Sequence, residues 1–421
     1  MYEEKIRTWL NEHRMNGVQL LQKLVEERSK RGQEGSAQEI VVEKCRQLGL
    51  EIDLWEIGDE QLRKHPHFYC DRRDFKVNPN LVAIKRGTGK GKSLILNGHI
   101  DVVPEGDHAG WHDEPYSGKL MDGKVFGRGT TDMKGGNVSL LLAIEAIVES
   151  GIQLKGDLIF QSVIEEESGG AGTLAAVIRG YKADGAIIPE PTNMKLFPLQ
   201  QGSMWFRLRI KGKSAHGGTR YEGVSAIDKA VVVMKEIKML EQERNESLRH
   251  SLYKNVPIPI PINIGSNQSG NWPSSVPDTA VLEGRFGIAP TETMEEAQKS
   301  LKERIDALNE SDAWFKERPI ELEWFGARWL PGNLEINHPL MKTIGTYYEK
   351  VVGEEPLVEA SPWATDGGYL SSVGSTPVVV FGPGETKMAH DSNEYIEVDK
   401  MMEVAEIIAL TIIEWCGVDQ E

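Results

Sequence analysis

Apolar positions at the start of the chain recur at helical spacing. Ile6, Trp9, Leu10, Val18, Leu21, Leu24 and Val25 predict one or two amphipathic helices over 3–28. A polar loop, SKRGQEGS, follows, and the next helix is expected over 37–48, ending near Gly49. The pattern then shortens. EIDLWEI, NLVAIKR and SLILNGHI read as strands, with GTGKGK as a hairpin turn between the last two. GKLMDGKVFGRG reads as a second hairpin with Asp122-Gly123 at its tip.

From here helix and strand alternate: a helix over 134–150, a strand over 157–164, a helix over 172–179 and a strand over 184–188. This rhythm predicts an α/β architecture, a mixed sheet flanked by helices. It changes at MWFRLRIKG. That strand, a helix over 224–243, strands at PIPINIGS and AVLEGRFGI, a helix over 292–308 and a strand at PIELEWFG follow the β-α-β-β-α-β order of a ferredoxin-like α+β domain. The mixed pattern resumes after ARWLPGN and closes in a helix over 400–415. The expected organisation is one discontinuous domain, 1–202 with 327–421, interrupted by a domain inserted at 203–326.

Composition narrows the partners. The 421 residues carry 64 acidic and 48 basic side chains, a formal charge of −16, with no basic run. Nucleic acid and a polybasic hold on membranes are both disfavoured. No apolar run approaches the roughly 18 residues that span a bilayer. MYEEKIRTWL lacks the basic start and apolar core of a secretory signal. Cys45, Cys70 and Cys416 lie far apart and make no CxxC pair. The expectation is a soluble, reduced, cytoplasmic protein whose acidity is unexplained.

Part of that acidity falls at strand ends. His99 and Asp101 lie in GHIDVVPEGD, Asp132 in GRGTTDMKGG, Glu165, Glu166 and Glu167 after DLIFQSVI, Glu190 in PEPTN and His390 in MAHDSNEY. Alone, a His-x-Asp or a run of glutamates is ordinary surface chemistry. Together they matter, because ligands of open α/β sheets gather at the carboxyl ends of strands. Imidazole and carboxylate donors without thiols suit Zn²⁺, and Co²⁺ or Mn²⁺ as well. Two such ions need a shared carboxylate, and water between them becomes a nucleophile near neutral pH. A carboxylate that is not a ligand can take its proton.

GHIDVVP, GRGTTDMKGG, the glutamate triplet with SGGAGT, and AHDSNEY together resemble the co-catalytic zinc aminoacylase/peptidase family. That family includes acetylornithine deacetylase, succinyl-diaminopimelate desuccinylase, aminoacylase-1 and the glutamate carboxypeptidases. The resemblance covers nearly the whole chain. It implies a phosphorylase/hydrolase-like main domain, an inserted domain acting as lid and dimerisation element, a homodimer and two Zn²⁺ per subunit. It further implies His99 and Glu190 on one ion, Glu167 and His390 on the other, Asp132 bridging, and Asp101 orienting His99.

The family triplet is Asp-Glu-Glu, so Glu165 departs from it. Counting to SGGAGT makes Glu166 the base and Glu167 a ligand; a shift by one would make these Glu165 and Glu166. His216, in GKSAHGGTRYEG, reads alone as structural; the resemblance makes it an oxyanion donor reaching across a dimer. Arg285, in LEGRFG, is either a carboxylate grip or a salt-bridged strand arginine. Asp366, in WATDGGYL, is either near the pocket or a helix cap. Gly382 and Gly384, in GPGE, either line the substrate pocket or form a turn. Ser274, in NWPSSVPDT, stands where many relatives carry an asparagine of the substrate contact.

Other motifs fail. GTGKGKS has Arg86 where a phosphate loop needs glycine. His65, His67 and Cys70 lack a further ligand to close a tetrahedral site, and His108 and His112 read as rim or surface residues. The expected activity is hydrolysis of an amide bond in a small N-acylated amino acid or amine, of the acetylornithine deacetylase type. The alternatives are a dipeptidase or carboxypeptidase, a deformylase of an amine such as a formylaminopyrimidine, and a metal- and ligand-binding paralogue without catalysis.

Overall fold

The strands Leu94–His99 and Leu158–Val163 are buried at all six positions, as strands covered on both faces are. In the computed structural model, which describes residues 2–419, they form the centre of a nine-stranded sheet. Its strands lie in the order Glu51–Trp55, Asn80–Lys85, Leu158–Val163, Leu94–His99, Ala186–Ile188, Val378–Val380, Leu196–Gln200 and Gly332–Asn333, and Val358–Ser361 pairs with Leu196–Gln200. The four strands from Leu158–Val163 to Val378–Val380 run parallel, so their carboxyl ends share one edge. Helices Gly135–Glu149 and Val398–Cys416 are almost wholly buried, the second expected over 400–415. Among the described residues no helix is long and apolar enough to cross a membrane.

The first expected hairpin is not one. Asn80–Lys85 and Leu94–His99 do run in opposite directions, but Leu158–Val163 lies between them. Lys85 and Leu94 both face Leu158 across the sheet. The glycine-rich segment crosses the start of that later strand, with Thr88 and Gly89 amides donating to the Leu154 and Lys155 carbonyls at 3.1 and 2.9 Å. Local composition signals a chain reversal; it does not say which strand fills the gap. The second hairpin forms as expected, with Asp122 and Gly123 both left-handed at φ 50° and 74°. Tyr395–Glu397 adds a third strand to it, pairing with Lys124–Phe126.

Backbone packing separates the chain into two units. One comprises Met1–Leu199, Gly332–Ser361 and Asp366–Glu421; the other is Gln200–Pro331 with Pro362–Thr365. The second unit is thus wider than 203–326 and includes a short return segment. Its antiparallel sheet has the order Ile262–Ser269, Thr279–Ile288, Gly202–Lys211, Glu321–Trp329, the ferredoxin-like arrangement for β-α-β-β-α-β connectivity. Its two long helices start at side-chain caps. Ser225 accepts from the Asp228 amide ahead of Ala226–Ser247, and Thr293 with Glu296 forms a capping box ahead of Met294–Ser311.

The crossing over Leu158–Val163 depends on Gly156, where a Cβ would lie 1.8 Å from the Lys92 carbonyl oxygen. Gly156→Ala should cost about 1–3 kcal/mol in urea unfolding, as overpacking does. Unchanged stability would count against this crossing.

Candidate metal site

His99, Glu167, Glu190 and His390 end or follow parallel strands of the large sheet, and Asp132 lies in the turn between the hairpin and helix Gly135–Glu149. His99 is the last residue of its strand and 1% exposed. Its Nδ1 lies 2.8 Å from the Asp101 backbone carbonyl. A carbonyl can only accept, so the proton sits on Nδ1 and the Nε2 lone pair faces the site. Nε2 is 3.1 Å from Asp132 Oδ1 and 3.7 Å from Glu190 Oε1. The other oxygen of Asp132 faces the second histidine: His390 Nε2 is 3.3 Å from Oδ2, and 3.2 Å from Glu167. Asp132 thus turns one oxygen to each imidazole.

Glu166 also joins the group. Ligand atoms of His99, Glu166 and Glu190 lie within 4.8 Å of one another, as do those of His99, Asp132 and Glu167. Burial pushes the carboxyls of Glu166, Glu190 and Asp101 well above the usual carboxylate range. For His390 burial works the other way, but hydrogen bonds to Asp132 and Glu167 outweigh it and raise the imidazole to about 11. Among the described residues, the carboxylates of Asp132, Glu167 and Glu190 pair with imidazoles and with no Lys or Arg. Carboxylates that face imidazoles and no lysine or arginine fit divalent ions with oxygen and nitrogen preference; His99 and Glu190 are buried, and His390 is exposed.

A family model described as peptidase family M20/M25/M40 matches residues 95–414. The chain belongs to this family. It is therefore one of the hydrolases of amide bonds. It is 31% identical over 397 residues to the N-formyl-4-amino-5-aminomethyl-2-methylpyrimidine deformylase of Bacillus subtilis (strain 168), covering 89% of this chain and 88% of that one. It is 28% identical over 378 residues to a probable succinyl-diaminopimelate desuccinylase of Staphylococcus epidermidis, covering 85% and 91%. In fold it is similar to a di-peptidase of Saccharomyces cerevisiae, with a TM-score of 0.77, 15% identity and 98% of each chain covered.

Within this M20 chain several residues sit differently from expectation. Asp101 holds His99 through its backbone carbonyl, not its carboxylate, whose Oδ1 is 3.7 Å from Nδ1. The carboxylate instead accepts from the Glu166 and Glu167 amides at 3.3 and 3.1 Å and so shapes the acidic turn. Glu165 points away from the metal-ligand set, into two arginines. Asp366 makes no side-chain cap to the helix it precedes. It is buried against Gly170, accepts from Thr173 Oγ1 at 2.7 Å, and burial raises its carboxyl to about 6.

Gly382 and Gly384 are buried, Gly382 packing on the Glu190 segment and Gly384 on Thr131 and Pro191. A Cβ on Gly382 would lie 2.3 Å from the Glu190 carbonyl, and its amide and carbonyl are both bonded to the Thr192 hydroxyl. The Gly384 carbonyl accepts from the Asn193 amide at 2.7 Å. In the second unit His216 is exposed and its Nδ1 accepts from the Gly218 amide at 3.1 Å, which leaves Nε2 as the donor. The Ser274 carbonyl accepts from the Gly217 amide at 2.7 Å and so fixes the His216 loop. Arg285 is half-buried, and the salt-bridge reading fails: among the described residues no carboxylate pairs with it. Burial pulls its guanidinium down to about 10.

Two residues inside the motifs carried no expectation. Glu394 is fully buried; it accepts from the Gly129, Thr131 and Asp132 amides at 3.0, 2.8 and 3.1 Å and from Arg128 Nη1 at 2.7 Å. Arg128 also reaches the His390 and Asp391 carbonyls at 3.4 and 3.2 Å. This pair ties the Asp132 turn to the His390 loop. The opposite charges were present in GRGTTDMKGG and AHDSNEY, but only the fold shows that they meet. Glu394→Gln should weaken metal affinity by about 10- to 100-fold, as loss of outer support does. A chelator-competition titration measures it, and unchanged affinity would remove Glu394 from the site.

Proposed function

We propose that this chain removes a short acyl group from a small N-acylated amine or amino acid, as a homodimer holding two Zn²⁺ per subunit. Co²⁺ or Mn²⁺ would serve as substitutes. The observation that carries this reading is Asp132, one oxygen toward His99 and the other toward His390. His99 and Glu190 would hold one ion, Glu167 and His390 the other, and Asp132 both. Bound there, the ions polarise an amide carbonyl and lower the pKa of water.

The chain's own groups do the rest. Glu166 takes the proton of the attacking water and returns it to the nitrogen of the leaving amine. Its burial favours the protonated form, and a base tuned upward suits work near neutral pH. His216 Nε2–H, offered by the other subunit through the second unit, donates to the oxygen that gains charge. Such a donor is typically worth about 2.7–4 kcal/mol of barrier. Arg285, which meets no carboxylate among the described residues, takes an anionic group of the substrate, which favours N-acyl amino acids of the acetylornithine or succinyl-diaminopimelate kind. A second reading, deformylation of a formylated aminopyrimidine, is favoured by the 31% identity to the Bacillus subtilis deformylase. Localisation in the cytoplasm accords with both.

A panel of N-formyl, N-acetyl and N-succinyl compounds and dipeptides, assayed with zinc-loaded protein, separates the readings. Hydrolysis confined to dipeptides would replace deacylation by peptidase activity. Binding without hydrolysis anywhere in the panel would make the chain a non-catalytic paralogue. Glu166→Gln should keep its metal and lose about 10²–10⁴-fold in kcat; near-normal kcat would sink the assignment of the base. Sedimentation of a fully active monomer would remove the role of His216 across a dimer.

A further inference from the structure

The acidic triplet begins with a glutamate that the proposed chemistry does not use. Glu165 is fully buried, with its backbone at φ 64°. Its carboxylate receives Arg31 Nε at 2.9 Å on one oxygen and Arg72 Nη1 at 2.7 Å on the other. The Cys70 thiol donates to it at 3.2 Å. Arg72 is itself held in place. It bonds Glu34 at 2.8 Å and the Asp74 carbonyl at 2.7 Å, and its guanidinium lies 4.8 Å over the Phe75 ring. The other arm of Arg31 reaches Asp71 at 2.6 Å. Three stretches of chain, 31–34, 70–75 and the triplet, therefore meet in one ion network.

The network lies one residue from the candidate base. Asp101 grips the amides of Glu166 and Glu167, and the two arginines grip the side chain just before them. A non-glycine residue pays for the left-handed conformation unless its surroundings impose it; here the Glu165 carbonyl accepts from the Gly170 amide at 2.8 Å, and the two arginines hold its side chain. The Glu165 side chain carries its carboxylate out to both guanidinium groups, one oxygen to each. The turn is thus held from the amide side by Asp101 and from the side-chain side by the two arginines.

We propose that Arg72 and Arg31, acting through Glu165, are positioning residues that aim the Glu166 carboxylate, and that segment 70–75 is the brace of the proton acceptor. This rests on the reading of Glu166 as base. The test uses zinc-loaded, full-length protein and the best substrate of the acyl panel. Arg72→Met, Arg31→Met and Arg72→Lys are compared for kcat, KM, metal per chain and thermal melting, with Glu166→Gln alongside. Arg72→Met should lower kcat about 100-fold and Arg31→Met about 10-fold, as misplacement of a reacting group does. KM should stay within about threefold, since binding of substrate is untouched. Metal content should not change, and Arg72→Lys should recover part of the lost kcat.

A loss of activity that merely follows the unfolded or metal-free fraction, with kcat per loaded chain intact, would overturn the proposal. If Arg72→Met does not fold, Arg31→Met decides, because its side chain is more exposed, 38% against 10%; normal kcat there would overturn the proposal. If Glu166→Gln turns over normally, the base assignment fails and the brace with it. If Glu166→Gln is inactive while the arginine variants match the parent, the brace alone fails.

Discussion

Carboxylates resist being gathered at the buried edge of an apolar sheet, and the architecture of the first unit follows from making them stay. Asp101, Asp132, Glu166 and Glu190 crowd one edge of a sheet whose central strands are buried at every position. Burial alone would neutralise such groups or drive their segments apart. The fold answers with an outer layer of acids whose charge is already spent. Asp101 is spent on two amides, Glu394 on three amides and Arg128, and Glu165 on two arginines. Asp101 and Glu394 hold amides of neighbouring inner acids. The inner layer is left with imidazoles for company, which is the electrostatic definition of a cation site.

Much of this was legible because it is local. Strand ends, helical periodicity and the Asp122-Gly123 turn depend on neighbours in sequence, and they place His99, Asp132, Glu190 and His390 correctly on elements. What was not legible depends on distant pairing. The strand Leu158–Val163 enters between two strands that come earlier in the chain, so the GTGKGK reversal could not reveal its own neighbours. The partners of the first glutamate of the triplet are not local either: Glu165 faces Arg31 and Arg72, from segments 134 and 93 residues away. Arg128 and Glu394 are 266 residues apart and meet only in the fold. The glycines of GPGE also pack closely, since the Glu190 segment lies where a Cβ on Gly382 would go, and that contact joins residues far apart in the chain.

The same accounting separates structure from function in the second unit. Arg207 and Arg285 lie on paired strands, Arg207 opposite Glu283 and Arg285 opposite Trp205. Arg207 takes both Glu283 and Glu323 and is closed as a structural group. Arg285 is more deeply placed and takes no carboxylate among the described residues. Its neighbours could have supplied one, since an acidic chain with a formal charge of −16 is not short of them. Keeping a guanidinium half-buried and unpaired is costly unless an anion arrives from outside. Of these two strand arginines, Arg207 is thus closed by carboxylates of its own sheet, and Arg285 alone meets the requirement for the proposed hold on an anionic group.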